Sequence, residues 1–550
     1  MSKIKVFALG GLNEYGKNMY VVEVDKDIFV FDAGLKYNNN VNLGVDYIIP
    51  DTTYLENNVD RIKGIFLSHG HLSSVGAVPD IFDKLKNVDI YGTKLTLDVL
   101  KTRMSDSDKK KIKLKEIKPH TKIEFGKNSV FPIRVTHSIP DAVCYVLNTP
   151  DGAIVYTGDF VFDSTMLGKY KTDIGKLAYV GKQGVLLLLS ESVYAWKEGY
   201  TSPKNRVSDF IREVLAHNEN RIITTVLPTD FYRIQEIFDE VSEAHRKIVI
   251  MGKELGDLVK KGIDDGYLKV GKKVIGDLKN VDDKNVVILI SSDNERPFAN
   301  LERILKDRDK YIKIKDTDMV FIAEPASVGM EKKYALIMDE VAIAGANAIS
   351  LSTKKHLLAH ASREDLMLMI NLMNPKYYMP VKGEYRYQFM NAALAEELDI
   401  PKENIILKEN GDVVELDNGE LVENFEKIPI DSILIDGKDS EDIGDLVLKD
   451  REMLGENGIV LLSCTLDKTT KKILAGPEIL TRGFIYVKES QDLLERTKEI
   501  AKDVIANSID YNAERVDYTL IKNEVRKVLG KFFYDETESK PMIITVIQEV

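Results

Sequence analysis

The residues best suited to chemistry in this 550-residue chain lie in one short motif, Ser68-His69-Gly70-His71-Leu72-Ser73-Ser74. It follows an apolar stretch that is typical of a buried strand. Two histidines spaced i, i+2 at the end of a strand can turn both imidazoles toward one metal ion. The two serines that follow are poor ligands, so the motif indicates half of a metal site. The alternative is a polar loop that holds two histidines by chance.

Two further residues complete a candidate ligand set. His137 and Asp159 each come directly after a predicted strand, as His69 and His71 do. Together the four make three imidazoles and one carboxylate, which suits zinc, or manganese when water completes a larger coordination shell. Each residue alone is explained as well by an ordinary hydrogen bond, and the repetition at strand ends favours the metal site.

The elements that must position these residues follow two patterns. The N-terminal part alternates strands and turns, with a hairpin predicted between Met19 and Phe31. From about residue 195 helices alternate with apolar strands, as in the predicted helix 232–245 and strand 247–251, which indicates βαβ units and a parallel sheet. Amphipathic helices around 492–506 and 518–532 and a strand at 542–547 predict a separate C-terminal module.

The composition is that of a globular protein with 44% hydrophobic residues and a net charge of −12. This charge argues against a protein that coats nucleic acid nonspecifically, but it does not exclude a local basic channel. The lysine-rich run 109–115 is predicted to be a strand with a solvated edge. No aliphatic run is long enough to span a membrane, so no membrane association is expected. Two cysteines, Cys144 and Cys464, are expected as buried thiols of a cytoplasmic protein.

The motifs of this chain resemble those of the ribonuclease J proteins, members of the metallo-β-lactamase superfamily with a β-CASP insertion. The resemblance covers essentially the whole chain in the family's order. Its motifs include Gly16-Lys17-Asn18-Met19-Tyr20, Thr136-His137-Ser138-Ile139-Pro140-Asp141, Thr157-Gly158-Asp159-Phe160, His360-Ala361-Ser362 and Gly383-Glu384-Tyr385-Arg386. The chain is most similar to the catalytically degenerate second member of the family that some low-GC Gram-positive bacteria carry.

The resemblance implies an α/β fold class: a metallo-β-lactamase αββα sandwich with an inserted, Rossmann-like β-CASP domain and a small C-terminal α+β domain. The expected boundaries are 1–195 for the first part of the core, 196–365 for the β-CASP domain and 366–430 for the second part of the core. A linker is expected at 431–447 and a dimerisation domain at 448–550.

The resemblance also implies RNA as the substrate, with 5′-to-3′ exonucleolytic and endonucleolytic cleavage in rRNA processing and mRNA decay. Two zinc ions, or sometimes manganese, would activate the attacking water and offset charge on the transition state. The implied partners are RNA and an active paralogous ribonuclease J subunit, in a homo- or hetero-oligomer formed through the C-terminal domain.

Three departures from the family's motifs fall on one metal site. The motif His-x-His-x-Asp-His here ends in Ser73 and Ser74, and the histidine of Pro-Val-His-Gly-Glu-Tyr-Arg is Lys382. The first-metal ligands His69, His71, His137 and the shared Asp159 remain. Site two keeps only Asp159, so the chain is expected to hold at most one ion, zinc or manganese, or none.

Lys382 allows two interpretations. Its ammonium could lie near the vacant second site and pair with Asp159, which would partly replace a dication without generating a hydroxide nucleophile. Alternatively, the side chain points into solvent.

The β-CASP motifs also differ from the family. Glu191 replaces an aspartate and keeps its charge, and together with His360 it is a candidate catalytic residue. A phosphate-holding motif has become apolar, because Leu358 removes a hydroxyl donor and Ala359 adds a methyl group where a glycine would let backbone approach phosphate. The candidate substrate-binding residues are His356, Leu357, Leu358, Ala359, His360, Tyr232 and Arg233.

Three functions remain after these comparisons of motifs. The first is a degenerate ribonuclease J paralogue, weakly active or inactive, that acts mainly as the partner of an active subunit. The second is a working ribonuclease with one metal ion or a manganese-supported centre. The third, a metallo-β-lactamase-fold hydrolase of small molecules, leaves the β-CASP motifs unexplained.

Overall fold

The structure is a computed structural model, and it describes residues 2–37, 45–291, 298–326, 330–436, 445–485, 490–511, 513 and 515–550. The chain divides into two units, one made of Met1–Asn39 with Asp46–Ser440 and the other mainly of Glu441–Val550. No helix in the described part of the chain is both long and apolar enough to cross a bilayer.

The first unit is built on two mixed sheets that face each other. The eight strands of the first sheet, in spatial order, are Glu420–Val422, Val414–Asp417, Lys3–Gly10, Met19–Val24, Asp27–Phe31, Ile62–Phe66, Ile90–Gly92 and Leu114–Glu116. The six strands of the second sheet are Tyr377–Val381, Val185–Glu191, Gly152–Tyr156, Val143–Thr149, Asn128–Arg134 and Ile123–Phe125. The predicted hairpin is confirmed, with Val24 paired to Asp27.

Alternation along the strands divides their side chains between two cores. One set, which includes Phe31, Phe66 and Tyr156, fills the space between the sheets. The opposite set of each sheet packs on helices, as Leu67 does near Val78 and Tyr378 near Leu366. Because apolar side chains lie on both faces of both sheets, helices must cover the outer faces. The predicted αββα sandwich is confirmed.

The helices of the first unit are mostly short. They are Thr53–Glu56, Leu72–Val75, Val78–Ile81, Lys94–Thr102, Asp108–Lys111, Ile174–Gln183, Ser208–Ala216, Phe231–Glu243, Lys253–Asp264, Ala299–Leu305, Glu331–Ile343, Arg363–Met373 and Tyr385–Glu397. Single 3₁₀ turns occur at Val59–Arg61, Gly168–Tyr170, Leu278–Asn280 and Lys402–Asn404.

A third sheet confirms the predicted parallel β-CASP architecture. Its strands, all parallel, are Lys247–Met251, Val286–Ser291, Ile222–Val226, Met319–Ile322 and Asn347–Ser350. Helices cover both of its faces, since Phe238 and Leu258 pack in one cluster and Leu301 and Val341 in another. The sheet lies in the chain between Glu191 and Arg363, as an insertion into the sandwich.

Two exposed segments differ in part from the sequence predictions. The lysine-rich run contains the helix Asp108–Lys111 before the edge strand Leu114–Glu116. The Ser105 hydroxyl accepts a hydrogen bond from the Asp108 amide and so stabilises the helix start. The expected linker 431–447 begins with a strand, Ser432–Ile435, which pairs with Tyr47–Pro50. Residues 437–444 of that segment lie outside the described residues.

The second unit is a small α+β module. Its three-stranded sheet has the order Ile473–Arg482, Ile459–Leu466, Met542–Glu549, and its helices are Asp445–Asn457, Gln491–Ser508 and Tyr518–Thr537. Val460, Leu462 and Ile543 pack against Val525 and Leu529 of the last helix. Cys464 is buried in this core, as Cys144 is in the sandwich, so the prediction of free buried thiols is confirmed.

Candidate metal centre

The candidate ligands meet where strands of the two facing sheets end. His69 and His71 follow the strand Ile62–Phe66 of the first sheet. His137 and Asp159 follow strands of the second sheet. The sequence therefore brings these residues together by ending each strand at the same edge of the sandwich.

The three imidazoles form one tight cluster. Their ring centroids lie 4.7–4.8 Å apart, and His71 Nδ1 lies 3.0 Å from His137 Nε2. His69 Nε2 is buried and has no hydrogen-bond partner in the described residues. A tetrahedral zinc ion with bonds of about 2.0–2.1 Å places its ligand nitrogens roughly 3.3 Å apart, so this spacing fits a zinc-class ion. The unsatisfied nitrogen of His69 would be satisfied by that ion.

Hydrogen bonds on the far side of each ring fix which nitrogen faces the cluster. His137 donates its Nδ1 proton to the Ala359 carbonyl at 2.7 Å, which leaves Nε2 as the free lone pair. His69 Nδ1 lies 2.9 Å from the Ser68 hydroxyl, which itself donates to Asp32 at 2.9 Å. This relay leaves the lone pair of His69 on Nε2. Such outer partners orient histidine ligands in metal sites.

His71 and His137 are also held in the neutral form that metal binding requires. Burial lowers the pKa of His71 well below its ordinary value, and the neighbouring imidazoles add to that effect. The pKa of His137 is lowered in the same way, first by burial and then by His71 and His69.

Asp159 lies between the histidines and Lys382. Its Oδ2 is 3.3 Å from His69 Nε2, and its Oδ1 accepts a hydrogen bond from the Lys382 ammonium at 2.7 Å. Burial alone would raise the pKa of Asp159, but the Lys382 charge, followed by the nearby His69, holds it well below its ordinary value. Asp159 is thus an ionised carboxylate that already has a cationic partner.

The Lys382 side chain is buried in the centre and does not point into solvent. Only 3% of it is exposed, and Asp32 provides a second carboxylate at 3.7 Å from the ammonium. Burial would lower the pKa of Lys382, but Asp159 and Asp32 outweigh it and raise that pKa above its ordinary value. Lys382 and Asp32 both have a left-handed φ, of 55° and 61°. That conformation is uncommon for residues other than glycine and clusters at functional sites.

His360 and Glu191 form a second buried pair beside the cluster. His360 Nδ1 lies 2.8 Å from Glu191 Oε2, and its Nε2 lies 3.2 Å from the Tyr15 hydroxyl. Burial lowers the pKa of His360, but the Glu191 carboxylate outweighs it and raises that pKa above its usual value. Glu191 Oε1 accepts backbone N–H groups of Phe160 and Ala361, so both of its oxygens are engaged in positioning. The ligand atoms of Glu191, His360 and Asp159 lie within 4.8 Å of one another.

The other predicted site residues are placed differently. Ser74 is fully buried, and its hydroxyl has no hydrogen-bond partner in the described part of the chain, whereas the Ser73 carbonyl accepts from Asn18. Ala359 contacts the centre through its carbonyl. Leu357 is buried in a small apolar cluster with Val193 and Tyr194.

Arg233 and His356, both predicted to contact substrate, are held by contacts within the protein. The Arg233 guanidinium is buried, paired with Glu236 and bonded to the Asn205 carbonyl. His356 packs against Phe210 and accepts the Ser352 amide. The Leu358 amide donates to the Tyr194 hydroxyl, and the Tyr232 amide donates to the Ser138 carbonyl. Contact of these residues with substrate stays a prediction.

Three residues of the centre were missed by sequence reasoning. Asp32 accepts the Ser68 amide at 2.7 Å and the Tyr156 hydroxyl at 2.5 Å, and Tyr15 reaches His360 from a loop. Asp32 gave a signal, since it ends an apolar strand as Asp159 does. Ser68 and Tyr15 gave none, because their roles arise only from contacts between distant segments.

Comparison with known proteins assigns the chain to a family. Its segments match "Beta-lactamase superfamily domain" at 29–174, "Ribonuclease J, beta-CASP domain" at 219–341, "Zn-dependent metallo-hydrolase RNA specificity domain" at 350–406 and "Ribonuclease J C-terminal domain" at 446–550. Ribonuclease J2 of Bacillus subtilis (strain 168) is 40% identical over 551 residues, with 100% of this chain and 99% of that protein covered. The chain belongs to the ribonuclease J family.

A second ribonuclease J relative agrees with this assignment. Ribonuclease J 2 of Staphylococcus aureus (strain NCTC 8325 / PS 47) is 36% identical, with 100% of this chain and 98% of that protein covered. A crystal structure of a protein of unknown function from Enterococcus faecalis V583 shares the fold, with a TM-score of 0.53 and 16% identity over 76% of this chain and 100% of that one. By family this is a metal-dependent nuclease scaffold for RNA processing, and its three-histidine cluster is the candidate metal-binding group.

Proposed function

We propose that this chain is a ribonuclease J-type protein of rRNA processing and mRNA decay whose second metal site is lost, and that it acts largely as the partner subunit of an active paralogue. Its own nuclease activity is weak or absent. The observation that carries this proposal is the Lys382 ammonium, buried 2.7 Å from Asp159. Asp159 is the carboxylate that the family's two ions share.

The chemistry of a lysine explains the expected loss of activity. A buried ammonium supplies one positive charge and hydrogen-bond donors, so it can offset part of the charge of Asp159 and Asp32. It cannot coordinate water or lower the pKa of a water molecule as a dication does. The lysine thus preserves the packing and charge balance of the centre while removing half of the charge that stabilises phosphoryl transfer.

The remaining residues would hold one ion through His69, His71 and His137. The expected ion is zinc or manganese, bound by a protein of the cytoplasm. When bound, such an ion would polarise a phosphodiester oxygen and activate water. The chain's own residues orient its ligands through Ser68 and the Ala359 carbonyl. The His360–Glu191 pair lies beside this cluster, with a ring-centroid distance of 5.8 Å between His360 and His137.

This His360–Glu191 pair favours a second candidate function, that of a working one-metal or manganese-supported ribonuclease. A histidine whose pKa is raised by a buried carboxylate can donate a proton to a leaving group. The two candidates differ in whether the purified chain cleaves RNA alone. A hydrolase of small molecules is not supported, since the β-CASP and C-terminal ribonuclease J segments are both present.

Metal stoichiometry tests the centre itself. We expect at most one zinc per purified chain by mass spectrometry of the metal content, and none after His71→Ala with His137→Ala. The triple variant Ser73→Asp, Ser74→His, Lys382→His restores family ligands and should bind a second ion. If the triple variant folds and gains no metal, the proposed origin of the lost site is wrong.

An RNA assay separates the two candidate functions. The chain is incubated with 5′-monophosphorylated RNA and manganese beside a variant that lacks His69 and His71. Cleavage that disappears in the variant supports the one-metal ribonuclease, and cleavage that persists comes from a contaminant. No cleavage by either protein, with co-purification of an active paralogue, supports the partner subunit.

A further inference from the structure

The register of two parallel strands places a cluster of aromatic and cationic side chains at the edge of the metal centre. Glu191 pairs with Val381 at the ends of Val185–Glu191 and Tyr377–Val381, so the segments 192–197 and 382–387 leave the sheet side by side. The first segment carries Trp196, which is the single tryptophan of the chain. The second carries Tyr387.

Trp196 and Tyr387 stack on each other with an interplanar angle of 21° and a centroid distance of 6.1 Å. The Lys197 ammonium lies 4.5 Å from the centre of the Trp196 ring and 5.0 Å from that of Tyr194. The Arg386 guanidinium lies 4.6 Å from the centre of the Tyr387 ring. We call these five side chains the aromatic platform, in which aromatic rings and cations alternate.

The outer part of the platform is open to solvent at Trp196 and Arg386, whereas Tyr194 is buried beneath it. Trp196 is 47% exposed, and Lys197 has no carboxylate within ion-pairing distance among the described residues. Its ammonium lies on aromatic faces and near the Thr353 carbonyl at 3.2 Å. Lys204 adds positive charge nearby, since it lowers the pKa of Lys197 after the larger effect of burial. Arg386 is paired with Glu384 at 2.7 Å, so in a chain with a net charge of −12 the local positive field comes mainly from Lys197 and Lys204.

The platform is continuous with the centre. The Tyr194 ring lies 5.8 Å from the His360 ring, and the Lys197 carbonyl accepts the Arg363 amide at 2.9 Å. A strand of nucleic acid that enters the centre can therefore contact the platform with a neighbouring nucleotide. Exposed aromatic rings with adjacent cations bind single-stranded nucleic acids, because bases stack on the rings and phosphates pair with the cations.

We propose that the aromatic platform is a binding site for single-stranded RNA, in which a base stacks on the Trp196–Tyr387 pair and Lys197 and Arg386 contact the flanking phosphates. The proposal rests on the proposed function, since it names a subsite for the RNA that the centre receives. It does not require cleavage, so it also applies to an inactive partner subunit.

The single tryptophan makes the test direct. The full chain is titrated with a fluorescein-labelled oligoadenylate RNA of about ten nucleotides, within the usual range of single-strand site sizes. Anisotropy of the label reports binding, and the fluorescence of Trp196 with unlabelled RNA reports stacking. We expect quenching that saturates at the same RNA concentration as the anisotropy. Trp196→Ala and Tyr387→Ala should weaken binding about 5- to 100-fold, which is the cost of losing one stacked base.

Tyr311→Ala is the matched control, because Tyr311 is 49% exposed with the Lys310 ammonium 5.3 Å from its ring centre. It should leave affinity unchanged. If Trp196→Ala does not fold, Tyr387→Ala with its tryptophan intact decides the question. Binding by the wild type without quenching, or unchanged affinity in both platform variants, contradicts the proposed binding site on the platform and leaves the proposed function standing. No binding by the wild type overturns the proposed RNA function and the platform together.

Discussion

At the scale of single residues, Lys382 places a buried cation beside two carboxylates. A buried ammonium with one carboxylate at 2.7 Å and another at 3.7 Å is well compensated, whereas either carboxylate alone would be a buried unpaired charge. The side chain therefore balances the charge of Asp159 and Asp32 in the folded protein.

This predicts a large loss of stability when only the lysine is changed. Lys382→Met keeps most of the side-chain volume but leaves Asp159 without its cation, and breaking a buried pair in this way costs about 3–5 kcal/mol. Urea denaturation of the metal-free protein measures this difference. Arg386→Met, at an exposed cation four residues along the chain, is the control and should change the free energy of unfolding little. A small loss for Lys382→Met would mean that Asp159 is protonated or solvated.

The sequence predicted the ligand residues better than their environment. His69, His71, His137 and Asp159 were predicted to meet because each follows an apolar strand, and strand ends are visible in a sequence. The pairing of Lys382 with Asp159 was left open. The two residues are 223 positions apart, and the direction of the lysine side chain is not visible in the sequence. Residues that act only by tertiary contact, such as Tyr15, were missed.

At the scale of elements, the start of the helix Arg363–Met373 connects the sandwich to the inserted third-sheet segment. Asp365 is fully buried there and accepts backbone N–H groups from Phe162, Thr201 and Ser362 at 2.7–3.1 Å. Burial raises its pKa to about 6, and the three N–H donors oppose that rise only in part.

The raised pKa of Asp365 gives a pH dependence with a definite sign. Between its unfolded value of 3.8 and about 6, the folded protein binds the proton more tightly than the unfolded chain does. The stability from this group is therefore complete below about pH 4 and is lost as the pH rises to about 6, by on the order of 2–3 kcal/mol. Asp365→Asn should remove this part of the slope in unfolding free energies measured from pH 4.5 to 7. An unchanged slope would place the pKa of Asp365 near its ordinary value.

Elements with local patterns were predicted well, and those that depend on remote partners were not. The parallel strands of the third sheet are continuous apolar runs, which makes them recognisable alone. The strand Ser432–Ile435 was missed, since its partner Tyr47–Pro50 lies more than 380 residues earlier and it has only four residues. The helix Asp108–Lys111 was missed because the alternation along 109–115 indicated a strand over the whole run.

At the scale of the whole molecule, one sheet face of the C-terminal unit stays partly exposed among the described residues. Leu461 pairs with Leu480 on one neighbouring strand and with Ile544 on the other. Leu480 and Ile544 are 53% and 39% exposed, while their neighbours Ile479 and Ile543 pack toward the helices. This apolar row supports the proposed oligomer through the C-terminal domain, because exposed apolar patches mark interaction surfaces.

Leu480→Glu should therefore lower the oligomeric mass measured by light scattering after size-exclusion chromatography, since a charge in an apolar interface is costly. Leu520→Glu is the matched control, because Leu520 has a similar exposure of 48% on the helix Tyr518–Thr537. Equal masses for the wild type and Leu480→Glu, in the presence and absence of an active paralogue, would remove this face as the interface.

The positive charge of Lys382 is part of the chain, whereas a metal ion has to be supplied by the cell. A metal ion must be acquired after synthesis, can be taken by a chelator and is lost when the concentration in the cell falls. The ammonium is made with the chain, at a fixed ratio of one per copy, and cannot be exchanged. Under the proposed function, the charge balance around Asp159 therefore forms with the folded chain and does not depend on the supply of a second metal ion.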